Sequence, residues 1–198
     1  MRKYVVTAST FAAFLGYAIV RYVVFKGVPW SHVPVYVTNK SLALLGIGML
    51  ALAVARREER RWLGLSGLAL ILLHVVMSLA ILSPAYFAKL YAEPTGAKGL
   101  SLSGEVAMMS GAVGLMLLLG QAWLTALNPE RQGNGASNAT VSMRKLGWGV
   151  LACGAAHCLA LGWDGWWPPS SWPGMMPPIT MLGVVVVLGA IAFRALRA

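Results

Sequence analysis

The sequence predicts an all-α integral membrane protein, a bundle of six transmembrane helices with both termini in the cytoplasm. Three observations carry this expectation. The 198 residues are 58% hydrophobic and only 11% charged, whereas a soluble domain has roughly a quarter of its residues charged. The mean hydropathy is +0.70. The apolar residues fall into six runs, each near the ~20 residues that cross a hydrocarbon core about 30 Å thick.

The runs are Tyr4 to Phe25, Val35 to Ala55, Trp62 to Leu82, Leu102 to Leu127, Met143 to Trp163 and Pro178 to Leu196. The first follows Arg2 and Lys3 and so superficially matches a signal peptide. It is too long for an apolar signal core, and Arg21 closes it where a small-residue cleavage site would stand. It therefore reads as a helix. Six spans gather the basic residues on one side: Arg2, Lys3, Arg56, Arg57, Arg60, Arg61, Arg131, Arg144, Lys145, Arg194 and Arg197. Arg21, Lys26, Lys40, Lys89 and Lys98 fall on the other. The excess of lysine and arginine marks the cytoplasmic side, and an odd number of spans would split the clusters.

The formal net charge of +10 is thus a topology signal and a match to anionic lipid, with the bilayer as partner. No nucleic-acid-binding motif accompanies it. Residues Asn128 to Ser142 form a polar Gly/Asn/Ser-rich linker. The Trp- and Pro-rich stretch from Asp164 to Pro178 reads as a cap over the outer ends of the helices. A serine N-cap within Ser101-Leu102-Ser103-Gly104, followed by Glu105, complements the start of the fourth span. Cys153 and Cys158 are five residues apart and so lie on different helix faces, behaving as small apolar groups.

The most informative feature is an internal echo. Arg61-Trp62-Leu63-Gly64 opens the third span, with His74 ten residues after the glycine; Lys145-Leu146-Gly147 opens the fifth, with His157 ten residues after its glycine. Both segments enter from the basic side, so the two helices run parallel. A rise of ~1.5 Å per residue sets both imidazoles ~15 Å beyond their glycines, at matching depth. Two such histidines suit the axial positions of one haem iron. Gly67 and Gly154 lie near the histidine faces, where a small residue would let a macrocycle approach. The residues alone leave a second reading open: a haem-free scaffold or small transporter whose histidines pack or move protons.

The pattern Arg-x-Leu-Gly followed by an apolar run into Leu73-His74 resembles the ferric reductase-like transmembrane domain. That superfamily includes ferric reductases, the NADPH oxidase membrane core and the bacterial haem subunit serving periplasmic methionine sulfoxide reductase. The resemblance covers roughly Tyr36 to Leu182 and is clearest in the third and fifth spans. It implies a six-helix bundle with b-type haem between those helices, His74 and His157 as axial ligands, and electron transfer to an acceptor at the outer face. Many members carry a second histidine about a dozen residues along each helix. Here the positions thirteen on are Phe87 and Ser170, and those thirteen back are Arg61 and Arg144. The resemblance therefore implies one haem, nearer the outer half, with a flavin or quinone to bridge the cytoplasmic side.

No Gly-x-Gly-x-x-Gly follows the sixth span, so electrons are expected from another chain or from a quinol. Arg61 and Arg144 are candidates for a flavin phosphate or a haem propionate, and Lys40 for a propionate. Against each stands contact with lipid headgroups. His32, between Pro29 and Pro34, is read chiefly as an interfacial histidine, with an electron exit or a propionate contact as the alternatives.

Overall fold

A computed structural model describes residues 2–56, 59–93, 98–127 and 137–196. These residues are almost wholly helical, and six of the helices are long and apolar enough to cross a membrane. Helix α1 (Arg2–Ala18) runs directly into a wider π-helical stretch, Ile19–Phe25. Helix α2 spans Thr38–Ala55 and α3 Arg60–Ala80. A four-residue turn of helix, α4 (Pro84–Phe87), lies on the way to α5 (Leu102–Leu127). Helix α6 (Ser137–Gly162) and α7 (Ile179–Ala195) complete the chain.

The six expected spans all appear, with one boundary moved. Helix α6 begins at Ser137, not at Met143, so the last six residues of the expected linker 128–142 are helical. The apolar run marks only the part of a helix that meets lipid; a polar first turn can extend it into the aqueous layer without changing that run. Residues 128–136 lie outside the described residues.

Helix α2 is the axis of the bundle. In its span 67% of residues are buried, against no more than 28% in any other. It packs against α1, α3 and α7 and more lightly against α6, while α5 is carried on α6. The composition of α2 allows this central place: Leu42 to Ala55 has no polar face, and a helix that is apolar all round belongs inside. Leu44, Ile47, Leu50 and Ala51 join a core with Tyr22 of α1, Leu151 of α6 and Val187 of α7. Leu45, Met49 and Ala53 pack on Leu63 of α3.

Lipid tails are as apolar as leucine, so close approach rather than water exclusion holds such helices together. A Cβ built on Gly67 of α3 would stand 2.7 Å from Leu50 Cδ2, one on Gly46 of α2 2.8 Å from Ile71 Cδ1, and one on Gly154 of α6 2.9 Å from Ile47 Cδ1. The helix ends that carry the basic clusters are tied by charge. Lys3 pairs with Glu59 at 3.6 Å and lies over the Trp62 ring. Arg60 Nε donates to the Ala53 carbonyl at the end of α2 (3.3 Å), where a cation complements the helix dipole. At the opposite end of the bundle, Trp166 Nε1 donates to Thr180 Oγ1 and Trp172 Nε1 to the Trp166 carbonyl, both at 3.1 Å. Tyr17 Oη donates to the Pro177 carbonyl. The aromatic cap is therefore pinned to α1 and α7.

Gly67→Val should lower the stability of the detergent-solubilised chain by about 1–3 kcal/mol, because the added methyls must push α3 off α2. Gly64→Ala, on the same helix with nothing within 4 Å, should leave it unchanged or slightly raised. Thermal unfolding followed by circular dichroism separates the two; equal melting temperatures would contradict the close α2–α3 contact.

Candidate functional site: two histidines on parallel helices

His74 and His157 sit on α3 and α6, which by the order of six spans run in the same direction. His74 is six residues from Ala80 at the end of α3, and His157 is five from Gly162 at the end of α6. Both lie within ~10 Å of the C-terminal ends of their helices by helical rise, so they share a depth in that half of the bundle. Helices α3 and α6 make no substantial contact with each other, and α3 touches α5 only lightly. The two imidazoles are nevertheless near enough for the charge on one to be felt at the other.

Each ring is fixed through the same nitrogen. His74 Nδ1 lies 2.7 Å from Asn39 Oδ1 and 3.2 Å from the Asn39 main-chain carbonyl on α2. His157 Nδ1 lies 2.7 Å from the Ala107 carbonyl on α5. A main-chain carbonyl only accepts, so Nδ1 carries the proton in both rings and donates it. That leaves the lone pair of each Nε2 in plane and, among the described residues, without a hydrogen-bond partner. Metal-ligating histidines show this arrangement: the outer hydrogen bond sets the tautomer and aims the other nitrogen.

The supporting residues were not visible in the sequence pattern. Asn39 is 1% exposed, and its Nδ2 donates to Ser78 Oγ of α3 at 2.8 Å, so one side chain on α2 braces α3 at two points. Gly111 of α5 makes room for His157: a Cβ there would stand 3.2 Å from its Nδ1. An asparagine at a helix start and a helical glycine are too common to single out before the partner helix is known.

The other expected site residues are placed as follows. Gly67 and Gly154 both face α2, against Leu50 and Ile47. They serve helix–helix contact, which corrects the expectation that they open space for a macrocycle; proximity along a helix did not reveal which neighbour each glycine meets. Lys40, beside Asn39, lies in the first turn of α2, with its Nζ 4.5 Å from the Tyr36 ring centre and 5.1 Å from that of Tyr22. Its charge reaches His74. Arg61 is exposed at the opposite end of α3, ~20 Å from His74 along the helix, out of reach of any group beside that ring. The Arg144 side chain lies outside the described residues.

His32 enters an aromatic cluster, 4.7 Å from the Tyr86 ring and 6.3 Å from Tyr36, with Phe87 beside Tyr36. Ser101 Oγ accepts from Gly104 N at 3.0 Å, so Ser101 is the serine that caps α5, with Glu105 exposed in the first turn. Cys153 faces Gly114 of α5 and Cys158 faces Gly183 of α7, so the thiols do occupy different faces and both are free. Two shallow surface grooves, one on α5 near Trp123 and one between α2 and α7 near Gly48 and Gly189, include neither histidine. Among the described residues no three His, Cys, Asp or Glu side chains gather as a metal cage; an axial haem pair needs only two.

No protein-family model matches the chain, and no curated protein matches it.

Nitrogen-15 NMR of imidazole-labelled chain, purified without added metal or haem, should show Nδ1 protonated and Nε2 bare in both His74 and His157. A dominant Nε2–H tautomer in either ring would contradict the hydrogen-bond assignment.

Proposed function

We propose that this chain is a membrane b-type haem electron carrier, with one haem held between α3 and α6 by His74 and His157. The single observation behind the reading is the paired commitment of Nδ1: each ring donates to a main-chain oxygen and keeps Nε2 for a metal. The donor set fits the group. Two neutral imidazoles at one depth, on parallel helices that stand apart, are the residues that would hold a b-type haem. The resemblance of the third and fifth spans to the ferric reductase-like transmembrane domain supports the same reading.

The haem supplies one-electron exchange between ferric and ferrous iron. The protein's part follows from its own residues. Asn39 and the Ala107 carbonyl hold the rings in one tautomer and orientation, and a hydrogen-bonded Nδ1–H makes each Nε2 a better donor. His74 and His157 would hold the haem from the two helices, and an acceptor would exchange electrons at the outer edge of the site rather than bind beside the histidines. The outer-half placement of both rings puts that edge near the aromatic cap. Lys40 is the placed residue best suited to a propionate beside His74.

In this reading the basic residues mark the cytoplasmic side, both termini face it, and the setting is a bacterial-type inner membrane. A reductase chain or a quinol delivers electrons from that side, with a flavin or quinone spanning the distance to the outer-half site. The acceptor lies at the outer face.

Purified chain from haem-replete cells should show a sharp Soret band that shifts on dithionite reduction. His74→Ala and His157→Ala should each abolish the low-spin spectrum. Asn39→Leu should keep the ligands but weaken haem binding by about 10–100-fold, as loss of an outer-shell partner does. A colourless wild-type preparation, or a low-spin spectrum surviving either alanine change, would refute the proposal.

A further inference from the structure

The outer half of the bundle holds a second feature that the histidines do not explain. Arg21, on the π-helical end of α1, is only 5% exposed. Its Nε and Nη1 are buried with no hydrogen-bond partner. Its guanidinium lies 5.7 Å from the centre of the Tyr22 ring, and Nζ of Lys40 on α2 lies 5.1 Å from the same ring centre and 4.5 Å from that of Tyr36, close enough for the two cations to repel each other.

No carboxylate offsets this charge among the described residues. The ion pairs there are Lys3–Glu59 and Lys98–Glu93, and neither involves Arg21 or Lys40. Glu105 and Asp164 are exposed. In sequence, the two remaining acids, Glu58 and Glu130, belong to the connections α2–α3 and α5–α6, which join the helix ends opposite to Arg21.

Aromatic faces attract cations but accept no in-plane guanidinium hydrogen bond. A buried arginine with two unsatisfied nitrogens beside a second cation is therefore an incomplete arrangement. Guanidinium matches an oxyanion in shape and charge, and a nearby ammonium adds a point charge to it.

We propose that Arg21 and Lys40 form a buried oxyanion seat at the outer end of α1 and α2, taking one carboxylate or phosphate group of a bound molecule. Tyr22 and Tyr36 wall the seat and keep it dry, which strengthens both charge contacts. Two molecules present such a group at this depth: a haem through a propionate, and an anionic lipid through its phosphate. The seat rests on the cation pair and does not require the haem reading.

The test uses the full chain in lipid nanodiscs, wild type against Arg21→Gln, with Arg21→Lys and Lys40→Gln alongside and helicity checked for each. The first arm titrates hemin and hemin dimethyl ester, which lacks the carboxylates, by absorbance. If the seat takes a propionate, wild type binds the acid about tenfold more tightly than the ester, and Arg21→Gln binds both alike. The second arm compares melting in pure phosphatidylcholine with melting in phosphatidylcholine containing phosphatidylglycerol. If the seat takes a lipid phosphate, the anionic lipid raises the melting temperature of wild type but not of Arg21→Gln. Arg21→Lys should retain part of either effect, which separates lost charge from lost folding. A chain that binds neither form of haem refutes the haem carrier and leaves the seat to the lipid arm. Wild type indifferent to both the acid and the anionic lipid, or Arg21→Gln retaining the preference, overturns the seat.

Discussion

An imidazole inside a membrane has two ring nitrogens and no water to satisfy them. In this bundle one nitrogen of each histidine is settled by an oxygen that cannot be refused: the Asn39 carbonyl for His74 and the Ala107 carbonyl for His157. Those bonds decide where the proton sits, which way the ring faces and which nitrogen is left over. Unpaired polar groups are expensive in hydrocarbon. Two leftover lone pairs at one depth, on helices of common direction, therefore form the feature that the functional reading must explain.

The rest of the architecture arranges for that pair. Helix α2 fills the centre, and α3 and α6 approach it closely through Gly67 and Gly154. Both histidine helices are thus referenced to the same axis while standing apart from each other. Asn39 lies on that axis and binds His74 and Ser78 at once, so the packing of α2 on α3 and the aim of the ring are one structural fact. His157 depends on a different neighbour, α5, whose Gly111 leaves room for the ring and whose Ala107 carbonyl holds it.

Much of this was legible in the sequence, and the limits are instructive. The six helices and the equal depth of His74 and His157 follow from run length, from charge clusters and from a fixed rise per residue, all of which are properties of a single helix. What could not be read were relations between helices. Gly67 and Gly154 read as places where a macrocycle could approach, but each meets α2, because spacing along one helix does not name its partner. Arg21 read as the residue closing the first span; the structure turns it inward, 5% exposed. Asn39 gave no signal at all, since its importance lies wholly in the ring across from it. The start of α6 at Ser137 was missed because hydropathy reports lipid contact rather than helicity.

Electron paramagnetic resonance of the oxidised, haem-replete chain at low temperature tests the central claim most directly. Two imidazoles on one iron predict a purely low-spin ferric signal with one haem per chain. A high-spin ferric signal would mean that at least one of the two rings does not reach the metal, and would contradict the account.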